Sequence, residues 1–114
     1  VLGPLDEVPW IDVGGSRVVG LPTIGLDARV AVLSPGFTVP FHTHRGREFL
    51  LVVTGAFEDG LARYDRGDVS VADPDVQHDM RILASEVCIA LVVRDSPVLE
   101  VREDGTPGAE IAGY

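Results

Sequence analysis

The 114-residue chain has a single cysteine, Cys88, so it cannot form a disulfide within itself. A lone cysteine is typical of a reducing compartment. The N-terminal segment carries Asp6 and Glu7 but no basic stretch, which argues against a secretory signal peptide. No apolar run reaches the length of a membrane-spanning helix, the most apolar one being residues 49–53. We therefore expect a cytoplasmic protein. The missing initiator methionine leaves open whether the chain is processed, complete or cut from a longer protein.

Basic residues are scarce. Nine basic residues, all of them arginine, stand against 18 aspartates and glutamates, which gives a formal net charge of −9. Since no stretch concentrates positive charge, the surface should repel polyanions, and we expect no direct binding of nucleic acid. The same charge disfavours an anionic membrane surface, so we expect no membrane contact.

Sustained helical periodicity is also absent. Segments rich in valine, leucine and isoleucine alternate instead with turns built from the 13 glycines and eight prolines, which predicts an all-β barrel or sandwich in a single domain. We predict an N-terminal arm over residues 1–21, anchored by Trp10, a barrel over residues 22–102 and a flexible C-terminal tail over residues 103–114. The predicted strands are residues 29–33, 38–44, 48–54, 68–72, 78–83, 87–93 and 98–102, with a weaker one at 61–64.

Two predicted strands, at residues 49–53 and 88–93, are apolar on both faces. An antiparallel strand with one solvated face should alternate instead. Both faces must therefore be covered, one by the barrel interior and the other by a further layer. That layer is either a second subunit, in a homodimer, or an opposing sheet of the same monomer, and the sequence leaves both open.

The chain has three histidines, and all of them fit one pattern. Residues 36–55 read G-x5-H-x-H-x3-E-x6-G, in which the histidines are His42 and His44 and the acid is Glu48. Residues two apart on a strand face the same side, and the turn after His44 can bring the Glu48 carboxylate beside both rings. His78 comes from a distant strand. Three imidazoles and one carboxylate predict a site for one divalent metal ion, and this donor set suits Zn, Fe(II), Mn, Ni or Co.

Strand parity also predicts an apolar lining for this site. The residues that alternate with the metal ligands on the same strand faces should point into the same cavity, where a small molecule could bind. These predicted pocket-lining residues are Leu50, Val52, Met80 and Ile82.

No second group of residues is tied to the site by spacing, so the catalytic residues stay unknown. A general acid or base would have to be Tyr64, Glu86 or an aspartate, but packing at a strand edge is the better explanation for Tyr64 and a solvated loop charge is the better one for Glu86. Cys88 lies in an apolar strand, where cysteines are usually inert and not redox-active. Arg45 and Arg47 could attract an anionic ligand, but offsetting the acidic surface is the simpler explanation.

The two histidine motifs resemble those of the cupin superfamily. The first matches at every defining position. The second departs from the usual G-x5-P-x-G-x2-H, because Asp73 stands at the proline position and Asp75 at the glycine position, while the spacing from Gly67 to His78 is kept. The departure affects the turn and leaves His78 in place. The resemblance implies a jelly-roll-like barrel of the double-stranded β-helix type.

Most of the chain is further similar to the C-terminal cupin-like domain of ChrR-type anti-sigma factors. The similar segments are residues 48–59, 62–68 and 72–78, with Cys88 and Ile89 after them and residues 3–6 and Trp10 before the barrel. This similarity implies a zinc-binding barrel that takes part in sensing reactive oxygen species, with ligands His42, His44, Glu48 and His78. The helical domain with which that family binds its sigma factor has no counterpart here, so we expect no sigma-factor sequestration by that mechanism.

Two functions follow. The first is a metal-binding cupin domain that registers an oxidant or a small ligand. The second is a small metal-dependent cupin enzyme, such as a dioxygenase acting on a small organic substrate. Because the metal site takes every histidine, none remains for proton transfer, and this favours the first function. The donor set alone leaves the metal open, and the resemblance to ChrR-type proteins favours zinc.

Overall fold

The computed structural model describes residues 10–13, 16–21, 27–44, 46–73, 77–83, 85–95 and 98–110. The strands in these ranges, in chain order, are β1 Ile11–Val13, β2 Ser16–Leu21, β3 Asp27–Leu33, β4 Thr38–His44, β5 Glu48–Thr54, β6 Ala56–Glu58, β7 Arg63–Asp65, β8 Val69–Ala72, β9 Gln77–Ile82, β10 Cys88–Arg94, β11 Val98–Val101 and β12 Pro107–Glu110. In this part of the chain, no helix has the length and apolarity needed to cross a membrane.

The strands form two six-stranded sheets. The first has the order β1-β2-β3-β10-β5-β8 and the second the order β12-β11-β4-β9-β6-β7. All strand pairs in the described ranges are antiparallel. From β3 to β6 and from β7 to β11, each strand is followed by one in the opposite sheet. This alternation produces the single-domain, jelly-roll-like barrel that the sequence predicts.

The sequence locates most strands correctly. The predictions for residues 38–44 and 48–54 have the same bounds as β4 and β5, and the other predicted strands differ by at most two residues at either end. The strands that the sequence does not predict are β1, β2, β6 and β12. The short β6 is not predicted from the sequence because it directly follows Gly55, which looks like a turn that ends β5. In the structure, the chain bends at Gly55 and continues as β6 in the second sheet.

Gly55 can make this bend because it has no side chain. Its φ is 81°, in the left-handed region that favours glycine. A Cβ atom at this position would also lie 2.4 Å from the carbonyl oxygen of Val87, far inside contact distance. The glycine that ends the first histidine motif is therefore required, because the chain before β10 passes too close to leave room for a side chain.

Inward-facing side chains of both sheets form one apolar core. The predicted alternation holds on β5 and β9, since Leu50, Val52, Met80 and Ile82 are all buried in this core. The opposing sheet covers the inner face of β5. On its outer face Phe49 and Val53 remain 45% and 48% exposed, so within the described residues the second apolar face of β5 is only partly covered.

The ends of the described chain add strands to both sheets. Within the predicted arm, β1 pairs with β2 and β2 pairs with β3. Near them the Arg17 guanidinium lies 5.6 Å from the ring centroid of Trp10, a cation–π contact. Within the predicted tail, β12 pairs with β11. The division of the chain after residues 21 and 102 stays a prediction.

Candidate metal centre

The three histidines meet inside the barrel on the second sheet. His42 and His44 lie on β4, and His78 lies on β9 as the direct cross-strand partner of His42. The ladder between β4 and β9 is irregular between Val39 and His42, and this irregularity sets the register in which the two rings become partners. Ring centroids are separated by 4.6 Å for His42–His78, 5.1 Å for His42–His44 and 5.2 Å for His44–His78.

The geometry of the three imidazoles suits a metal ion. One ring nitrogen from each lies within 4.8 Å of the others, and all three residues are buried. Two nitrogen ligands of the same zinc ion, each at about 2.1 Å, can be at most about 4.2 Å apart, so only small side-chain movements separate the cluster from ligation. The three histidines can therefore hold one ion.

The state of His78 supports this conclusion. Among the described residues, its Nε2 has no hydrogen-bond partner although the atom is buried. A buried polar atom left unsatisfied costs free energy, and native structures rarely retain one without a role. A metal ion at this position would give Nε2 the partner that the protein does not provide.

Glu48 lies beside this cluster but is shared with a buried arginine. Its Oε1 is 3.7 Å from Nε2 of His44, and its Oε2 accepts a long hydrogen bond of 3.4 Å from Nη1 of Arg94. Nε of Arg94 lies 3.5 Å from Oδ2 of Asp27. The structure thus brings Glu48 to the edge of the three-histidine group, and its assignment as the fourth ligand stays a prediction.

The surroundings of Glu48 favour its ionised form. Burial alone raises the pKa of this carboxyl, but the neighbouring His44 imidazole and the charge of Arg94 outweigh burial and hold the pKa below its usual value. An ionised carboxylate is the form that binds a divalent cation. The electrostatic surroundings of Glu48 therefore favour the carboxylate form that a metal ligand requires.

Asp59 is a residue of the site that the sequence does not reveal. It follows β6, and its buried Oδ2 lies 3.1 Å from Nδ1 of His78. Its Oδ1 accepts hydrogen bonds from the backbone N–H groups of Leu61 and Ala62, both at 2.8 Å. From sequence, the Glu-Asp-Gly segment that contains Asp59 is only a turn, because aspartate is common in turns whether or not it is buried. A contact between residues 19 positions apart depends on the fold.

Tyr64 and Cys88, two of the residues considered for a chemical role, belong to or pack against the apolar core. Tyr64 stacks on Phe57 with a centroid distance of 4.8 Å and an interplanar angle of 19°, so it packs as predicted. Cys88 is buried, and burial together with the charge of Glu86 raises its pKa to about 11. The Cys88 thiol is therefore protonated at neutral pH. Glu86 is exposed to solvent, as the sequence predicts for a loop residue.

Two further predictions concern the surroundings of the site. Arg47 is exposed, and its backbone N–H donates a hydrogen bond to Asp95 at 2.9 Å. Arg45 lies outside the described residues. The four predicted pocket-lining residues are packed in the core, and their role toward a ligand stays a prediction.

Comparison with known proteins identifies relatives by sequence. The anti-sigma-E factor ChrR of Cereibacter sphaeroides is 38% identical over 96 residues, which cover 82% of this chain and 45% of ChrR. The chain thus spans about half the length of the curated relative it matches. No family model matches the chain.

Solved structures share the fold. The crystal structure of Rhodobacter sphaeroides SigE in complex with the anti-sigma ChrR matches with a TM-score of 0.75 at 38% identity, over 82% of this chain and 52% of that chain. An RmlC-like cupin from Ralstonia eutropha matches with a TM-score of 0.77 at 16% identity, over 93% of this chain and 74% of the other. An acetylacetone dioxygenase from Acinetobacter johnsonii matches with a TM-score of 0.75 at 12% identity, over 90% and 78%. At such low identities the last two show the fold alone.

Proposed function

Because this chain is a ChrR-like member of the cupin superfamily, we propose that it is a metal-binding regulatory domain that responds to reactive oxygen species or to a small ligand. The observation that carries this proposal is the group of three buried imidazoles, whose nitrogens lie within 4.8 Å of one another. The similarity to an anti-sigma factor favours a regulatory role over a metabolic one.

The ligands we propose are His42, His44, His78 and Glu48, and the ion we propose is zinc, with Fe(II), Mn, Ni and Co as alternatives. Four protein ligands can fill the tetrahedral shell that zinc prefers. Such a closed shell would make the zinc structural, whereas a five- or six-coordinate shell would let the ion supply Lewis-acid chemistry toward an oxidant or a small ligand. Glu48 is also paired with the buried Arg94, so a change in how Glu48 binds the metal would alter this ion pair.

Sensing fits these residues better than catalysis. Every histidine belongs to the cluster, and the buried Asp59 and Arg94 already contact His78 and Glu48. Cys88 stays protonated in its buried position, so we place the sensing function at the metal and not at the thiol.

A second candidate is a small metal-dependent cupin dioxygenase that acts on a small organic substrate. The specific observation in its favour is the donor set, because three imidazoles and one carboxylate suit Fe(II) as well as zinc. The apolar residues that follow the ligands on β5 and β9 would then contact the substrate.

Metal analysis distinguishes the two functions. In protein purified without added metal, we expect about one zinc per chain and no oxygen consumption with diketone or thiol substrates. Stoichiometric iron together with oxygen consumption would support the dioxygenase instead.

The same measurement tests the ligands. We expect His78→Ala and Glu48→Gln to lose zinc and to melt at a lower temperature, because an ion present at 100 times its Kd stabilises a fold by about 2.7 kcal/mol. Gln77→Ala is a matched control on β9, since Gln77 is exposed. Full zinc occupancy in both ligand variants would contradict the assignment.

Partners and location follow from the surface and from the relatives. ChrR is in complex with SigE in its crystal structure. For the part of ChrR that this chain resembles, we propose the metal-dependent role. We place the chain in the cytoplasm, on the basis of its single, buried cysteine.

We further propose that the chain forms a homodimer through the outer face of the first sheet. There Phe49 and Val53 of β5 and Val69 and Val71 of β8 are between 45% and 59% exposed. Phe49 is the cross-strand partner of Val71 and Leu51 is that of Val69, so the two strands place adjacent apolar side chains on this face. A second copy fits this surface because an uncharged face lets two chains of net charge −9 meet without burying like charges.

A further inference from the structure

We infer that Asp59 is a positioning residue of the metal centre, which holds the proton of His78 on Nδ1 and so leaves the lone pair of Nε2 for the ion. This inference rests on the proposed function, because it takes His78 as a metal ligand. It adds a residue that lies outside both histidine motifs.

The contact between the two side chains fixes where the proton lies. Oδ2 of Asp59 is 3.1 Å from Nδ1 of His78, and the side chains are only 1% and 3% exposed. An ionised aspartate can only accept hydrogen bonds, and a neutral imidazole carries one proton on one of its two nitrogens. The proton must therefore lie on Nδ1 for the hydrogen bond to form. Nε2 is then unprotonated, the state in which imidazole binds a metal.

The backbone, and not a metal, determines the orientation of Asp59. Oδ1 is held at 2.8 Å by the N–H groups of both Leu61 and Ala62. The N–H of Asp59 also donates to the carbonyl oxygen of Ala62 at 3.2 Å, which closes the loop between β6 and β7. With one carboxylate oxygen occupied by the loop, the other points at His78. The loop therefore orients the Asp59 carboxylate, and through it the His78 ring, in the metal-free protein.

The two ring nitrogens of His78 have contrasting surroundings, which is the pattern expected of a ligand. Nδ1 faces a carboxylate, while Nε2 is buried with no hydrogen-bond partner in the part of the chain that the structure describes. Carboxylates that contact the far nitrogen of a metal-bound histidine orient the ring and raise its basicity. Their removal typically lowers metal affinity about 10–100-fold.

Asp59→Asn is a sharp test because it changes one oxygen into an NH2 group and keeps the shape. The two backbone N–H groups need an oxygen, so the asparagine carbonyl should stay with Leu61 and Ala62 and its NH2 should face Nδ1 of His78. An NH2 group can only donate to Nδ1, which moves the imidazole proton to Nε2. That proton then blocks the lone pair that the metal needs.

The experiment uses the full 114-residue chain with zinc alone as the probe. Zinc affinity is measured by chelator competition, and the protonated nitrogen of each histidine is read from 15N NMR of the metal-free protein. We expect His78 to be protonated at Nδ1 in the unmodified chain and at Nε2 in Asp59→Asn, with zinc affinity about 10–100-fold lower in the variant. Asp104→Asn is the matched control, because Asp104 also accepts a backbone hydrogen bond in a turn, from Thr106, but is exposed.

The outcomes separate this inference from the function on which it rests. If His78→Ala abolishes zinc binding while Asp59→Asn binds zinc like the control, His78 is a ligand and the role of Asp59 is overturned. If His78→Ala keeps full zinc affinity, the ligand assignment fails and the inference fails with it. Should Asp59→Asn not fold, the unmodified chain still decides, since a proton on Nε2 of its metal-free His78 overturns the inference.

Discussion

Arg94 donates a hydrogen bond to Glu48 inside the barrel, at a distance of 3.4 Å between Nη1 and Oε2. Both side chains are only 4% exposed, so both charges are shielded from bulk solvent. Arg94 also lies 3.5 Å from the half-buried Asp27. Glu48, the predicted fourth ligand, is therefore paired with a buried cationic side chain. In the absence of metal, this pairing stabilises the buried carboxylate in the folded protein.

Arg94→Met should destabilise the metal-free protein, because it leaves the Glu48 carboxylate buried without its cation. Breaking a buried ion pair in this way typically costs about 3–5 kcal/mol. Urea unfolding in the presence of a chelator measures this loss, and the double variant Arg94→Met/Glu48→Gln should recover part of it. The control is Arg63→Met, since Arg63 pairs with Asp65 on the surface, where such a pair contributes at most about 1 kcal/mol. Equal effects of the two arginine variants would contradict a stabilising role for the buried pair.

Cys88 should make the stability of the protein fall at high pH. The pKa of its thiol is raised to about 11 in the folded state, chiefly by burial, whereas an unfolded cysteine titrates near about 8.5. Above about pH 8.5 the unfolded chain releases this proton and the folded chain keeps it, so the contribution is complete below that pH and is lost as the pH rises toward 11. The expected slope is about 1.4 kcal/mol per pH unit.

Comparison with Cys88→Ala isolates this effect, because every other titrating group is common to both proteins. The free energy of unfolding is measured between pH 8 and pH 10.5, and the slope in this range should be smaller for the variant. The native thiol should also resist dithionitrobenzoate and hydrogen peroxide at neutral pH. Rapid modification of the folded protein would return Cys88 to the candidates for an oxidant sensor.

Val71→Asp should convert the proposed homodimer into a monomer. The change places a charge on the apolar outer face, next to Phe49, where a second copy would have to bury it. Light scattering coupled to size-exclusion chromatography measures the mass. Leu61→Asp is the control, because Leu61 is an exposed apolar residue that lies beyond β6 in the other sheet. A monomeric unmodified chain at concentrations of about 100 μM would rule out a stable dimer.

Gly55→Ala should be much more destabilising than Gly67→Ala. Both glycines have positive φ, at 81° and 87°, so each alanine meets a backbone cost of about 1–2 kcal/mol. Only at Gly55 does the added Cβ meet backbone atoms, with Val87 O at 2.4 Å and open space at Gly67. We expect an additional loss of about 1–3 kcal/mol for Gly55→Ala in urea unfolding. Equal losses would show that the chain before β10 can move away from Gly55.

The sequence predicts what depends on spacing and periodicity. The bounds of β4 and β5 and the burial of Leu50 and Met80 follow from the two-residue period of a strand. The three histidines could be grouped because their motif occurs at fixed offsets. These features are local, or combine a few local segments.

What the sequence does not reveal depends on contacts between distant segments. Asp59 and Arg94 look like surface charges in the sequence, and their importance comes from burial against His78 and Glu48. Charged residues are almost never buried unless they are paired, so the sequence alone favours solvent exposure for both. Gly55 belongs to a motif, but the requirement for glycine at this position comes from the close approach of Val87, more than 30 residues later in the chain.

The irregular ladder between β4 and β9 has a consequence for folding. His42 and His78 are direct partners only in the register that follows this irregularity. A slip by one residue would turn one of the two rings to the opposite face of the sheet. An ion bound by both rings would therefore select the correctly aligned sheet and reject its misaligned forms. During refolding, the metal ion would then bind both rings only after β4 and β9 have reached the native register, and its binding would stabilise that register over the shifted ones.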